Sequence, residues 1–193
     1  MKKSFLIIFI IFFSYISFAQ IESKRFEISA SGSLGSVSSK SESGDYTYES
    51  EARLYFNSFI RAGYFLHGGF EFEPEFYTFL TEGGKPSFVV SANIAYNQQI
   101  GETKFYPFLL IGYGLGNSYP FLTMTNSYIR MSDEFDVGCL NAGFGLKYFI
   151  NNSIAIRTEF RYQRFHDEIK GSFYTQEHTI KINSLLIGFS ILF

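Results

Sequence analysis

The chain has 193 residues, a formal net charge of −2 and only 18% charged residues. This length fits one domain, and the lack of a basic excess argues against a nucleic-acid partner. Aromatic residues make up 20% of the chain, with 25 Phe, 14 Tyr and no Trp. No internal stretch reaches the roughly 20 apolar residues that a membrane helix needs, so the apolar content predicts strands.

The N-terminus predicts a secretory signal peptide over residues 1–19, followed by one domain over residues 20–193. Lys2 and Lys3 precede an apolar run at residues 5–13, and Ser17-Phe18-Ala19 forms a small-residue cleavage site. Cleavage removes two lysines and no acid, which leaves 14 basic and 18 acidic residues and a formal net charge of −4. The protein is therefore expected to be exported.

Apolar and polar residues alternate with a period of two through most of the remaining chain, which predicts β-strands. Eight strands are expected, at about residues 25–35, 52–65, 68–76, 87–96, 104–116, 135–149, 154–164 and 180–193. The connections between them are alternately long and short, with three short turns at one end and four longer loops at the other. This asymmetry is typical of an outer-membrane barrel.

The third strand, GGFEFEPEF at residues 68–76, shows the alternation most clearly. Three phenylalanines occupy one parity and three carboxylates the other: Phe70, Phe72, Phe76 and Glu71, Glu73, Glu75. Pro74 lies within this strand and cannot donate a ladder hydrogen bond, so a bulge or a missing bond is expected there. A turn centred on Leu66 and His67 would place Arg61 opposite Glu71.

The last strand, SLLIGFSILF, is predicted to close the barrel against the first strand, because an open edge in lipid leaves backbone groups unpaired. The segments RAGYFLHGGFEFEPEF, AGFGLKYFINNSIAIRTEFRY and IGFSILF resemble the small outer-membrane β-barrel family, which includes the transmembrane domain of outer membrane protein A. The resemblance covers the whole chain after the signal peptide. It implies an eight-stranded antiparallel up-and-down transmembrane β-barrel of a Gram-negative bacterium, with both termini periplasmic.

In such a barrel the apolar parity faces lipid and the polar parity faces the lumen. The charged lumen residues are then Arg53, Arg61, Glu71, Glu73, Glu75, Lys147, Arg157, Glu159 and Arg161. An eight-stranded barrel is just wide enough for side chains to fill. The favoured interpretation is a structural network of ion pairs; a narrow ion path lined by the same groups is the alternative.

The sequence predicts no catalytic, cofactor-binding or metal-binding residues. His166, Asp167 and Glu168 with Ser172 resemble a hydrolase set in composition only, because adjacent residues point in different directions and no nucleophile elbow is present. His166 and His178 lie 12 residues apart, which is not a known ligand spacing, and His67 falls in a short turn. Cys139 is the only cysteine, so no intramolecular disulfide forms, and it is interpreted as an apolar filler.

Aromatic residues also occur in the predicted outer loops: Tyr46, Tyr48, Tyr119, Phe121, Tyr128, Phe173 and Tyr174. They are interpreted as loop packing and interfacial aromatics, with capture of an extracellular ligand as the alternative. The predicted function is a non-catalytic barrel, in contact with outer-membrane lipid, with a structural or surface-interaction role. The alternatives are a barrel enzyme that modifies lipids or peptides, a narrow pore, and a soluble lipocalin-like barrel whose apolar parity faces inward onto a ligand.

Overall fold

The computed structural model describes residues 25–37, 40–43, 46–49, 53–81, 86–117, 137–170 and 175–193. The strands are β1 (Phe26–Val37), β2 (Lys40–Ser43), β3 (Tyr46–Glu49), β4 (Arg53–Phe65), β5 (Phe70–Thr81), β6 (Ser87–Asn97), β7 (Phe105–Gly116), β8 (Val137–Phe149), β9 (Ile154–Lys170) and β10 (Thr175–Leu192). Within these residues no helix is long and apolar enough to cross a membrane.

Eight of the strands form a closed antiparallel barrel in the order β1-β10-β9-β8-β7-β6-β5-β4. β1 and β10 close it, with Glu27 opposite Leu192 and Gly32 opposite Ile187. The amide of Phe193 donates to the carbonyl of Phe26 at 2.9 Å, which extends the closure to the rim. The predicted fold class and the pairing of the last strand with the first are confirmed.

Two predicted loops contain more strand than expected. β2 and β3 form a separate hairpin within the polar segment after β1, and Gly44-Asp45 between them is a dipeptide that favours tight hairpin turns. β9 and β10 stay paired out to Lys170 and Thr175, beyond the predicted ends at 164 and 180. Apolar and polar residues do not alternate clearly in residues 166–170 and 175–179, so the sequence pattern ends before the backbone pairing does.

The turn between β4 and β5 sets their register. A single 3-10 turn, His67–Gly69, connects them, and Gly68 and Gly69 adopt φ of 74° and 83°. Glycine adopts this left-handed conformation without steric cost. The turn is centred on Gly68, so Arg61 pairs with Glu75, and the prediction that it faces Glu71 was wrong.

Pro74 interrupts the β4–β5 ladder without changing its register. Pairing runs to Arg61–Glu75, skips two positions, and resumes in the same register at Tyr64–Phe72. On the other side Pro74 pairs normally with Ala92 of β6. The missing amide donor of proline therefore faces β4, which confirms the expected missing bond and shows that no bulge accompanies it.

The outer surface of the barrel is apolar. Large side chains of the apolar parity are exposed on every strand of the barrel, for example Leu185 at 65% and Ile111 at 62%. Near the short turns, neighbouring strands carry Phe–Tyr ring pairs with centroids 4.9 to 5.1 Å apart: Phe26–Tyr64, Phe70–Tyr96 and Phe105–Tyr148. An apolar band bordered by aromatic rings is typical of a transmembrane barrel and excludes the lipocalin-like alternative.

Candidate functional site

The polar parity of the strands converges inside the barrel as a network of ion pairs. Its members are five carboxylates and four cations: Glu27, Glu71, Glu73, Glu75, Glu159, Arg61, Lys147, Arg157 and Arg161. Each of these side chains is 0 to 1% exposed. Charged groups this deeply buried require partners, and the network supplies them.

Lys147 of β8 lies at the end of the network nearest the short turns. Its Nζ is 2.7 Å from Glu27 Oε2, 2.8 Å from Glu71 Oε2 and 3.8 Å from Glu73 Oε1. One ammonium thus connects carboxylates of β1 and β5. Asn97 adds a neutral donor, because its Nδ2 lies 2.9 Å from Glu71 Oε2.

Arg157 of β9 occupies the centre of the network. Its Nη1 and Nη2 donate to the two oxygens of Glu73 at 2.7 and 3.1 Å, a bidentate pair across the lumen. Its Nε lies 3.2 Å from Glu159 Oε2, and its Nη1 lies 3.6 Å from Glu27 Oε1. β9, β5 and β1 are therefore joined through this single guanidinium.

Arg161 and Arg61 complete the network one step nearer the long loops. Arg161 donates to both oxygens of Glu75 at 3.1 and 3.0 Å, and its Nε donates to Glu159. Arg61 approaches Glu75 from the other side, with Nε 2.6 Å from Oε2, and donates from Nη1 to Ser31 at 2.8 Å. Glu75 is therefore held between two arginines.

Aromatic rings surround the cations. The guanidinium carbon of Arg157 lies 4.4 Å from the ring centroid of Phe108, and Lys147 Nζ lies 5.6 Å from the same ring. Arg61 and Arg161 lie 5.1 and 5.4 Å from the ring of Phe59. These cation–π contacts fill space that water would otherwise occupy beside the charges.

In the described part of the chain, the loop-side half of the interior holds a large apolar cluster beside buried neutral amides such as Asn57, Asn141 and Gln163, which corrects the prediction of a lumen filled by the Glu/Arg network. Beyond Arg61 and Glu75 lies a cluster of buried residues: Phe59, Tyr77, Phe79, Val89, Val137, Cys139, Phe165, Ile182 and Leu186. The rings of Phe59 and Tyr77 are stacked at 4.5 Å. We call this cluster the apolar layer; it lies on the loop side of the ion network.

The structure brings eight of the nine predicted lumen residues together. The ninth, Arg53, begins β4, and its side chain lies outside the described residues. The prediction missed Glu27, which is buried and contacts both Lys147 and Arg157. The sequence pattern could have predicted this position, because Glu27 alternates with Phe26 and Ile28 and so has the polar parity of the first strand.

Glu27, Glu71 and Glu73 are the described acidic residues with oxygens close enough to hold a metal ion, within 4.8 Å of one another. The ammonium of Lys147 lies among these oxygens and is a built-in cation for all three carboxylates. The arrangement therefore has a charge partner from the chain itself, and no metal-dependent chemistry follows from it.

Of the hydrolase-like set, the structure describes the side chain of His166 alone. His166 lies on the outer face of β9, where its Nδ1 is 3.4 Å from Thr179 Oγ1. Ser172 and the side chains of Asp167, Glu168 and His178 lie outside the described residues, as do the side chains of the loop aromatics. Cys139 is buried in the apolar layer, and its thiol lies 3.4 Å from Asn141 Oδ1.

Comparison with known proteins places this architecture in a family. The sequence matches the family described as the outer membrane protein beta-barrel domain over residues 5–193. The chain belongs to this family. No curated protein matches the sequence.

The solved structures that the chain resembles include two with TM-scores above 0.5. Neisserial surface protein A is 16% identical, with a TM-score of 0.57, and the match covers 87% of this chain and 97% of that one. The N-terminal β-barrel domain of Pseudomonas aeruginosa OprF is 17% identical, with a TM-score of 0.51, and covers 88% and 98%. At these identities the likeness shows the fold alone and assigns no activity. The outer-membrane location follows from the family to which the chain belongs.

Proposed function

We propose that this family member is a non-catalytic barrel with a closed interior, whose role is structural or is exerted through its long loops. The observation that carries the proposal is the burial of the ion network: nine charged side chains, 0 to 1% exposed, cross the lumen from β1, β4, β5, β8 and β9. The apolar layer lies between this network and the loops. An ion would have to displace both.

The proposed orientation puts the turns after β4, β6 and β8 and both termini in the periplasm and the other four connections outside. The prediction that all four are longer than the turns was wrong: residues 38–52 and 118–136 form long connections, but those after β5 and β9 have five and four residues. Arg25 and Phe193 lie at the same end as the turns after β4, β6 and β8. Short periplasmic turns and longer external loops are the usual arrangement in outer-membrane barrels. The external surface would then consist of the loops around residues 38–52, 82–85, 118–136 and 171–174, and an extracellular partner would bind there.

Single-channel recording in planar bilayers tests the closed interior. Refolded wild-type protein, verified as folded by its heat-dependent mobility on gels, is expected to give no discrete openings above membrane leak in 1 M KCl. Protein boiled before insertion is the control for contaminating channels. Regular unitary openings from the folded sample alone would contradict the proposal and favour the narrow pore.

Loop replacement tests where the function resides. A strain that lacks the protein is complemented with wild type or with variants in which segments 38–52 and 118–136 are replaced by short Asn-Gly turns. Proteins that share a fold owe their different functions to local sites, and in the proposed orientation those sites are the external loops. The shortened variants are therefore expected to fold but not to restore the envelope phenotype; full restoration would contradict a role for the loops.

The same strains test for catalysis. Mass spectra of lipid A and of a reporter peptide are expected to be identical with and without the protein. A product that depends on the folded protein would replace the non-catalytic proposal with the enzyme alternative.

A further inference from the structure

Two like charges face each other on the outside of the barrel. Arg164 of β9 and Lys181 of β10 are direct cross-strand partners, and both are exposed. Directly opposed side chains have Cβ atoms about 5 Å apart, and like charges at this spacing destabilise a sheet. Within the described part of the chain, no carboxylate forms an ion pair with either residue.

The pair lies at the border of the apolar band. On its turn side the outer face of β10 carries Leu185, Ile187 and Phe189, all more than 60% exposed. One pair separates the two surfaces, Tyr162 opposite Asn183. Toward the loops the next outward pair is His166 and Thr179, which is also polar and exposed.

The length of the apolar face agrees with this placement. From Phe193 to Leu185 the outer face of β10 spans nine residues. At about 3.3 Å per residue and a tilt of about 40°, this length corresponds to roughly 20 Å along the membrane normal. The apolar band of outer-membrane barrels is about 25 Å tall, so the two cations lie at the depth of lipid headgroups.

We infer that Arg164 and Lys181 bind the phosphate of a lipid headgroup in the loop-side leaflet, with the acyl chains of that lipid along Leu185, Ile187 and Phe160. A phosphate between the two cations removes their repulsion and accepts charge-assisted hydrogen bonds from both. The adjoining apolar face provides a surface for acyl chains, which free phosphate could not use. In the proposed orientation the ligand is a phosphorylated glycolipid of the lipid A type in the outer leaflet.

Binding of lipid A to the refolded protein in a zwitterionic detergent tests this site, with native mass spectrometry as the readout. The test variant is Arg164→Gln with Lys181→Gln. The matched control is Arg25→Gln with Lys104→Gln, which removes two exposed charges at the opposite rim. The folding of each sample is confirmed by its heat-dependent mobility on gels, so that a failure to fold is not mistaken for a failure to bind.

We expect the test variant to bind phosphorylated lipid A about 10- to 30-fold more weakly than wild type, because each surface cation contributes a modest electrostatic attraction. The control variant should bind like wild type, and dephosphorylated lipid A should bind wild type about as weakly as the test variant binds the phosphorylated form. Equal binding by wild type and the test variant would overturn the inference, as would an equal loss in the control. Displacement by equimolar inorganic phosphate would exclude a contribution of the lipid chains.

The inference and the proposed function can fail separately. Binding in detergent does not depend on which side of the membrane the loops face, nor on whether the lumen conducts. Channel openings would contradict the closed interior and leave the lipid site intact. Equal lipid A binding by wild type and by the Arg164→Gln, Lys181→Gln variant would contradict only the lipid site.

Discussion

Two cations of the ion network, Arg157 and Lys147, each contact three carboxylates. Arg157 contacts Glu73, Glu159 and Glu27, and Lys147 contacts Glu27, Glu71 and Glu73. Removing one of these cations takes a partner from three buried carboxylates at once. Buried charge networks are sensitive to the loss of one member for this reason, even where the intact network adds little net stability.

Arg157→Ala is expected to lower the free energy of unfolding by about 3–5 kcal/mol, because the buried carboxylate of Glu73 loses its bidentate partner and keeps only Lys147, at 3.8 Å. Glu73→Ala should have an effect of similar size, since it leaves Arg157 with fewer partners. Glu73→Gln keeps the shape and part of the hydrogen bonding and should cost less than Glu73→Ala. Heat-dependent mobility on gels and urea unfolding in lipid vesicles measure these changes.

Lys104→Ala is the control for this prediction, because Lys104 is exposed at the rim and its Nζ contacts only the carbonyl of Ile150 among described residues, at 3.3 Å. Its effect should stay within about 0.5 kcal/mol. Wild-type stability in both Arg157→Ala and Glu73→Ala would show that the ion pairs do not hold the interior together.

At the scale of elements, the short turns and the strand interruptions determine the register. The 3-10 turn after β4 aligns Arg61 with Glu75 and so determines which carboxylate lies between the two arginines. A turn one residue shorter would also move every inward side chain of β5 to the outside, because side chains alternate with a period of two.

Gly69→Ala is expected to destabilise the barrel by about 1–3 kcal/mol. Gly69 has a φ of 83°, and an added Cβ would meet the backbone carbonyl of Asn97. Gly101→Ala is the matched comparison, since Gly101 also has a positive φ, of 55°, but a Cβ there has no atom within 4 Å. Urea unfolding should show the larger loss for Gly69→Ala; equal losses would mean that backbone strain alone, without the close contact, determines the cost.

Pro74→Ala is expected to maintain or raise stability, by about 1 kcal/mol, because it supplies the amide donor that β5 lacks toward β4. Hydrogen exchange measured by NMR should show a new protected amide at position 74. Pro107→Ala is the control: the β6–β7 pairing ends at Asn97–Phe108, so Pro107 lies at the end of that ladder, and a smaller gain is expected there. A clear loss of stability in Pro74→Ala would show that the rigid ring is needed in β5.

At the scale of the whole molecule, the barrel is inverted relative to a soluble protein. Apolar side chains cover its outside, and charged side chains fill the turn-side half of its inside. A lipid environment satisfies the outer surface, while the closed ladder satisfies the backbone. The interior is in turn divided into the ion network and the apolar layer, which places the charges away from the long loops.

Ile111→Arg is expected to cost about 2–4 kcal/mol of unfolding free energy in lipid vesicles, because Ile111 lies in the middle of the apolar band on β7. Ile100→Arg is the matched control: this isoleucine is also exposed, at 53%, but lies in the turn after β6, where arginine reaches the headgroups. Equal tolerance of both substitutions would contradict a membrane-spanning outer surface.

The sequence alone determined the architecture, because a period of two reports directly which side chains face lipid and which face the lumen. All eight barrel strands and most of the ion network followed from that parity, and Glu27 would have followed from the same rule. The ends of β9 and β10 did not, because apolar and polar residues do not alternate clearly in residues 166–170 and 175–179.

Only the tertiary structure decided which partners meet across the lumen. Arg157 and Glu73 are 84 residues apart in the chain and share no ladder, so their bidentate pair depends on the closure of the barrel. The same closure places Phe59, Tyr77 and Phe165 together as an apolar layer where parity alone predicted polar contents. Local periodicity specifies the face on which a side chain lies; strand stagger and barrel width specify which side chains it contacts across the interior.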